Sequence, residues 1–350
     1  ALFRHGLVPL ATRHLLDGGR AHALPSVVRL WMSAVTKAST AKQTRALIRL
    51  KTITGAAAAA GLDVMPYKGA LLGHQLYDDF AMRQQGDVDL LVRPAHAEAV
   101  IRLLLDVGLR ATSGVDADGG VPLTRHRHAC VFADPDNGQL FDVHWRLRDR
   151  MYGVDLPLAW LMESPRLLAV GDAEVHAMHG ERLLLALCLH GAAHQWERLI
   201  WVADLAELLR REPALDWTLI RARAVQLRFT RSLGAALTLV RDLLGVPVDG
   251  DGPRRLMAET GAAALAARLH QHFLDPTMPL GMADRFRLGW FGRQGVRDRL
   301  AFGWGAMTHL SSRDLATTPE SRVPGLATTR RAVRLLRTAA ADRGRPGAPR

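Results

Sequence analysis

The pattern of hydrophobic and polar residues changes its period several times along the chain. Residues 25–60, beginning with Pro25-Ser26, predict one long helix, which Gly61 ends. Residues 64–67 and 87–92 form short, apolar, β-rich runs, as buried strands do. From His179 onwards the pattern becomes almost entirely helical. We therefore expect an N-terminal helical segment, a central unit with strands and a helical second half.

The central unit predicts a small sheet with helices on one side. Helices are expected at Ala70–Asp79 and Ala95–Val107, each following a strand. A hairpin is expected at residues 121–146, turning at Asp134-Pro135-Asp136-Asn137-Gly138 because these residue types favour tight turns. The remaining expectations are a flexible loop at 111–120, a short helix at Leu156–Met162 and a small hairpin around Gly171-Asp172.

Two carboxylates interrupt the second strand at alternate positions. Asp87 and Asp89 point to the same face, because side chains alternate along a strand. Buried like charges need a cation to offset them, and a divalent metal with oxygen ligands is the usual one. The alternative is a strand end whose aspartates face water.

A third carboxylate lies on the hairpin. Asp142 and His144 share one face of the segment 140–145, and Phe141, Val143 and Trp145 share the other. If this strand lies beside the first acidic strand, the three carboxylates converge. Such a trio can hold two metal ions about 3.5–4 Å apart, which suits phosphoryl or nucleotidyl transfer.

A turn from a strand into a helix precedes the acidic strand at 87–92. Gly69 would let a phosphate approach the backbone and the helix N-terminus, and Lys68 would add a point charge. Arg83 could bind a terminal phosphate through two hydrogen bonds. We therefore expect a phosphate-binding site around these residues.

Taken together, the motifs resemble a bacterial family of nucleotidyltransferases in the polymerase-beta-like superfamily, whose members occur in polysaccharide and peptide natural-product gene clusters. The resemblance covers roughly residues 60–245 and rests on Lys68-Gly69, Tyr77, Arg83, Gly86-Asp87-x-Asp89-Leu90-Leu91-Val92, Asp142-x-His144-Trp145 and the segment from Leu184 to Leu209. It implies that Asp87, Asp89 and Asp142 bind Mg²⁺ and are catalytic. Gly86 and His144 join Lys68, Gly69 and Arg83 as expected nucleotide-binding residues. The superfamily generally has Gly-Ser at the first active-site helix, whereas Ala70 follows Gly69 here.

Further histidines raise a second possibility for metal binding. His126, His128 and Cys130 would share one strand face opposite His144, a set that could suit Zn²⁺. The interpretation that we favour is that they line the active-site floor or contact substrate without metal. His190 and His194 lie four residues apart on a helix, where packing or substrate contact is the preferred interpretation.

The sequence leaves open the roles of one aspartate and of one region rich in aromatic residues. Asp204 could cap a neighbour, pair with His190 or His194, or face the active cleft. Aromatic residues and arginines alternate within 275–310, where helix packing is favoured over base stacking or a membrane interface.

Composition adds few constraints. The 350 residues are 48% hydrophobic and 23% charged, with a net charge of +12. Residues 281–350 hold 14 arginines, no lysine and five acids, so +9 of that charge lies there. Such a region can bind RNA, a peptide, a protein or an anionic surface, or reflect coding bias. Two cysteines, no long apolar run and no signal-peptide pattern suggest a cytoplasmic protein without a transmembrane segment.

The sequence thus predicts an α+β protein: an N-terminal helical cap (1–61), a nucleotidyltransferase palm with a small mixed sheet (62–176), a helical domain (177–310) and a linker, basic helix and disordered tail (311–350). The expected activity is Mg²⁺-dependent transfer of NMP from an NTP, with ATP favoured, to a hydroxyl-bearing acceptor. Mn²⁺ could replace Mg²⁺. Two alternatives stay open: kinase-type phosphoryl transfer at the same site, and a non-catalytic, antitoxin-like module that binds nucleotide or RNA.

Overall fold

The computed structural model describes residues 1–113, 128–147, 154, 156–171, 173–274 and 280–308. It has the predicted α+β architecture. The helices are α1 (Val8–Thr12), α2 (Ser26–Ala59), α3 (Gly69–Tyr77), α4 (Ala97–Asp106), α5 (Leu158–Leu161), α6 (Gly180–Ala193), α7 (Leu199–Arg211), α8 (Trp217–Gln226), α9 (Thr230–Leu244), α10 (Asp251–Met257), α11 (Ala262–Leu274), α12 (Met282–Gly292) and α13 (Val296–Thr308). The strands are β1 (Val64–Pro66), β2 (Asp87–Val92), β3 (Arg110–Ser113), β4 (Ala129–Ala133), β5 (Leu140–His144), β6 (Arg166–Val170) and β7 (Ala173–Ala177).

Five of these strands form one mixed sheet. Their order is β1-β2-β5-β4-β3, and β6 pairs with β7 in a separate hairpin. The two central strands, β2 and β5, run parallel, and Asp89 lies opposite Asp142 in their register. The other neighbours in the sheet pair antiparallel. Strand β5 of the hairpin therefore lies directly beside the acidic strand β2. This is the arrangement in which the three carboxylates are expected to converge.

One face of the two central strands is apolar. Val88, Leu90 and Val92 of β2 alternate onto this face, together with Phe141 and Val143 of β5. Helices α2 and α4 cover it with the buried side chains Ala46, Leu50, Ile53, Ala57, Ala97, Val100, Ile101 and Leu104. Two helices thus lie on one side of the sheet, and the polar residues of the same strands are confined to the opposite side.

Several element boundaries differ from the expectation. The long helix is confirmed. Residues 1–25 are expected to be helical with a break near Gly18-Gly19, and they hold α1, a π-helix at Arg13–Asp17 and, after that break, a short 3₁₀ helix at Ala21–Ala23. Part of the expected loop at 111–120 is strand, because residues 110–113 form β3 and pair with β4. The turn is confirmed: the Asp134 side chain accepts a hydrogen bond from the Asp136 backbone at 3.0 Å.

The helical second half packs around a second core, which also includes Met65 and Leu91 of the sheet and Leu72 and Leu76 of α3. Helices α6, α7 and α9 contribute most of its buried leucines and alanines. The helical pattern of residues 253–274 predicts one helix, but the structure has two, α10 and α11, separated at Gly261, whose φ is +82°. The N-terminal segment also docks here, since the Ile200 backbone donates to the His5 carbonyl at 3.1 Å. The expected linker, basic helix and tail (311–350) lie outside the described residues.

Within the described part of the chain, no helix is both long and apolar enough to cross a bilayer.

The contact between α9 and α10 predicts the effect of a glycine substitution. A Cβ at Gly234 would lie 2.0 Å from the Leu256 carbonyl oxygen, so the two helices would have to separate. We expect Gly234→Ala to lower the free energy of unfolding by about 2–4 kcal/mol, as overpacking against backbone does. Urea denaturation followed by circular dichroism measures this.

Gly55 in α2 provides the matched control, because nothing lies within 4 Å of its added Cβ. Gly55→Ala should raise stability by about 0.5–1 kcal/mol, through helix propensity alone. Equal stability of Gly234→Ala and the wild type would contradict the packing described here.

Candidate active site

The polar face of the two central strands gathers the acidic residues. Asp89 and Asp142 are paired across the parallel strands, and Asp87 precedes Asp89 by two residues on the same face. Asp89 is buried, whereas Asp87 and Asp142 are partly exposed. The structure therefore brings together the three carboxylates that the sequence analysis singled out.

Both side-chain oxygens of Asp89 have partners. Lys68 Nζ lies 3.0 Å from Asp89 Oδ2. His144 Nε2 lies 3.0 Å from Asp89 Oδ1, so the proton on that ring nitrogen is donated to the carboxylate. The side chain of Asp89 is 8% exposed, and its negative charge is thus compensated by one ammonium and one imidazole.

The neighbouring carboxylates differ in proton affinity. Burial raises the pKa of Asp89, but Lys68 and the hydrogen bond from His144 outweigh it and hold the pKa well below its usual range. Burial, together with the negative charges of Asp87 and Asp89, raises the pKa of Asp142 to about 6. The cluster therefore carries negative charge that the nearby basic groups compensate only in part.

The backbone before α3 forms a tight turn against this cluster. Gly69 has a φ of +72°, and a Cβ there would lie 2.0 Å from Gln85 Oε1. The positive φ strains any residue that carries a Cβ, whereas the end of the Gln85 side chain could move aside. The turn places Lys68 and the N-terminus of the nine-residue helix α3 beside the carboxylates.

A cavity of about 320 Å³ lies over the polar face of the sheet. All eight residues that the sequence analysis assigned to the site line it: Lys68, Gly69, Arg83, Gly86, Asp87, Asp89, Asp142 and His144. Its opposite wall comes from the helical second half and consists of His190, His194, Arg198, Ile200 and Trp201. The site is thus a cleft between the sheet and helices α6 and α7.

Asp204 forms the main polar link between the two halves. Arg83 Nε donates to Asp204 Oδ2 at 2.9 Å, and the Tyr77 hydroxyl donates to Oδ1 at 3.0 Å. The pairing of Asp204 with His190 or His194, one of the options left open, is not what the structure shows. Arg83 is 5% exposed and lines the cavity, so its role toward a phosphate stays a prediction.

The expected histidine and cysteine face does not form. Cys130 is 1% exposed and packs in the apolar core opposite the cavity. His128 precedes β4 in a bend, where strand alternation no longer applies, and its ring lies 5.9 Å from that of His144. His126 lies outside the described residues. The prediction of a shared face was wrong, because the strand begins only at Ala129.

Sequence reasoning missed several residues of the cleft. Gln85 is 8% exposed, and both atoms of its amide lack a hydrogen-bond partner among the described residues. Arg198 and Trp201 come from a helix more than 100 residues away in the chain. The position of Gln85 next to Gly86 was the one feature of the sequence that could have indicated it. No local periodicity marks Arg198 or Trp201 as residues of the cleft.

The donor set fits a divalent cation. Oxygen atoms of Asp89 and Asp142 and a nitrogen of His144 lie within 4.8 Å of one another. His144 Nδ1 is buried with no partner among the described residues, and burial, together with the charges of Asp87 and Asp89, raises the pKa of Asp142. Carboxylates in this number are typical ligands of Mg²⁺ or Mn²⁺.

Comparison with known proteins gives three findings. A family model described as "Uncharacterised nucleotidyltransferase" matches residues 1–245. No curated protein matches the chain. Among solved structures, the chain is similar to the solution structure of the antibiotic-resistance factor ANT(2'')-Ia, at 13% identity over 66% of this chain and 98% of that one. The TM-score of that likeness is 0.33, which is too low to inform function.

The buried pair between Arg83 and Asp204 predicts a non-additive stability effect. Arg83→Met would leave Asp204, which is 0% exposed, without its cation, and should cost about 3–5 kcal/mol of unfolding free energy. Asp204→Leu should be similarly costly. The double variant should be more stable than either single variant, because no buried charge is then unpaired. Denaturant unfolding of all four proteins tests this, and additive losses would refute the coupling.

Asp89 and Asp142 should have opposite effects on the stability of the metal-free protein. The pKa of Asp142 in the folded state lies above its ordinary value of 3.8, so its ionisation destabilises the fold, fully so above about pH 6. Asp142→Asn should therefore raise stability by about 1–2 kcal/mol at pH 7.5, and the gain should shrink as the pH falls from 6 toward 4.

Asp89→Asn provides the contrast. The pKa of Asp89 is lowered, so its ionised form stabilises the fold above its ordinary pKa, and the amide should destabilise at pH 7.5. Thermal unfolding in EDTA across this pH range measures both variants. Loss of stability in Asp142→Asn at pH 7.5 would contradict the charge balance described above.

Proposed function

The chain belongs to this family of nucleotidyltransferases, and on that premise we propose that it moves the NMP group of an NTP to a hydroxyl of an acceptor bound in the cleft. The acceptor class stays open among small molecules, sugars, peptides and proteins. The observation that carries the proposal is the trio of carboxylates on two adjacent parallel strands, facing a cavity large enough for substrate.

Asp87, Asp89 and Asp142 would hold Mg²⁺ or Mn²⁺, with His144 beside them. The bound ion would supply positive charge to the phosphate oxygens during the transfer. Asp89 serves this role because its low pKa keeps it ionised. In the metal-free protein Lys68 and His144 hold it in place, and the apolar core behind the sheet fixes the strand.

The acceptor hydroxyl attacks the α-phosphorus in this reaction. A bond forms between the acceptor oxygen and that phosphorus, the bond between the α-phosphorus and the bridging oxygen breaks, and pyrophosphate leaves. Asp142, beside the bound ion, would orient the acceptor hydroxyl or help to remove its proton. Positioning and electrostatics provide most of the rate in such transfers.

The phosphates of the NTP would lie along the turn before α3. Gly69 leaves room for them beside the helix N-terminus, and Gly86 lies at the same side of the cavity. Lys68 and Arg198 provide positive charge within the cavity. Arg83, held by Asp204, adds a guanidinium whose orientation is already fixed.

The reaction can be tested by the release of pyrophosphate. Incubation with Mg²⁺, each NTP and candidate acceptors should yield pyrophosphate and acceptor carrying the α-phosphate label. Asp89→Asn and Asp142→Asn should each lower the rate at least about 100-fold, since each removes a charge that the transfer requires. ATP labelled at the α or the γ position distinguishes NMP transfer from kinase activity.

Asp242→Asn provides the control, because this aspartate is 48% exposed and pairs only with the adjacent Arg241 among the contacts described. Its rate should match that of the wild type. Label transfer from the γ position, or full activity in Asp89→Asn, would refute the proposed reaction.

A further inference from the structure

The position of Lys68 suggests more than a contact for phosphate. Its ammonium lies 3.0 Å from Asp89 Oδ2 and 3.2 Å from His190 Nδ1. It also lies 5.0 Å from the centre of the Tyr67 ring. The side chain is 11% exposed, so these contacts form in a largely desolvated environment.

In the metal-free protein both oxygens of Asp89 already have partners. His144 occupies Oδ1 and Lys68 occupies Oδ2. An ammonium and a divalent ion carry charge of the same sign and need the same carboxylate oxygens. Their simultaneous binding would place like charges a few ångströms apart in a poorly hydrated cleft, which is unfavourable.

We propose that Lys68 is a built-in cation that occupies Asp89 in the metal-free protein and is displaced when the divalent ion binds. This inference rests on the proposed function, because it concerns the same metal site. In the metal-free state the ammonium keeps a buried carboxylate compensated. In the metal-bound state it leaves Asp89 and becomes available to an anionic group in the cavity.

His190 provides the alternative partner for the displaced ammonium. A lysine ammonium only donates hydrogen bonds, so His190 Nδ1 accepts here and the ring proton belongs on Nε2. Loss of the Asp89 contact therefore still leaves Lys68 one acceptor in the cleft. The ring of His190 is itself packed edge-on against Trp201, with centroids 5.0 Å apart, so this acceptor is held in place.

The consequence is a coupling between metal and phosphate. The ion would compete with Lys68 for Asp89, which weakens binding of the metal alone. Once displaced, Lys68 adds positive charge to the side of the cavity where the turn before α3 receives phosphate. The metal would then bind more tightly together with the NTP than without it, by the reciprocity of linked equilibria.

Binding of Mn²⁺ alone, without nucleotide, tests this inference directly. Isothermal titration and electron paramagnetic resonance of free Mn²⁺ would compare the wild type with Lys68→Met and Lys68→Gln. Both variants remove the competing charge, and we expect each to bind Mn²⁺ about 10-fold more tightly. Lys68→Gln can still donate to Asp89 and His190, so it remains informative if Lys68→Met folds poorly. Lys68→Arg keeps the charge and should bind Mn²⁺ as weakly as the wild type.

Lys42 offers a matched control at the same side of the cleft. Its Nζ donates to the Gly86 carbonyl oxygen at 3.0 Å, so Lys42→Met removes a nearby positive charge that touches no carboxylate in the described contacts. We expect its affinity for Mn²⁺ to change less than about two-fold. A gain in Lys42→Met equal to that in Lys68→Met would overturn the inference, because general electrostatics would then explain both.

The outcomes also separate this inference from the proposed reaction. Unchanged or weaker Mn²⁺ binding in both Lys68→Met and Lys68→Gln overturns the role of Lys68, even if pyrophosphate release is observed. Tighter binding in both variants supports it, even if no acceptor has yet been found. Absence of Mn²⁺ binding in every variant overturns the inference together with the metal site.

Discussion

Parallel pairing of two short strands is the constraint on which the rest of the site depends. The register of β2 and β5 sets Asp89 opposite Asp142, and strand alternation then places Asp87 and His144 on the same face. The same alternation sends Val88, Leu90, Phe141 and Val143 into an apolar core that α2 and α4 cover. A shift of one residue in this register would bury the carboxylates in that core. Hydrophobic burial therefore holds three like charges together against their mutual repulsion.

The helical second half completes the site by providing its other wall. Polar contacts tie it to the palm at several points: Arg83 and Tyr77 bind Asp204, and the Tyr67 hydroxyl donates to the Ala186 carbonyl at 2.7 Å. These contacts hold His190 and Trp201 at a fixed distance from the carboxylates. Lys68 lies between the two walls and contacts both. The charge balance at Asp89 is therefore linked to the packing of the two halves.

Local patterns predicted the parts of this architecture that depend on short-range periodicity. The long helix, the turn at Asp134 and the shared face of Asp142 and His144 all follow from alternation and turn chemistry. The partners of Arg83 and Asp204 could not be predicted, since 121 residues separate them and no period connects them. Cys130 was assigned to the wrong face because the onset of β4 depends on its pairing partner. The pairing of Lys68 with Asp89 likewise results from tertiary packing.

A crystal structure with Mn²⁺ and a non-hydrolysable NTP analogue would show whether the carboxylates of β2 and β5 hold the ion. Anomalous scattering would locate the ion without assumptions about the site. We expect a Mn²⁺ peak within coordination distance of Asp89 and Asp142, with the triphosphate against the turn at Gly69. A nucleotide bound elsewhere, or a Mn²⁺ peak remote from these carboxylates, would contradict this expectation.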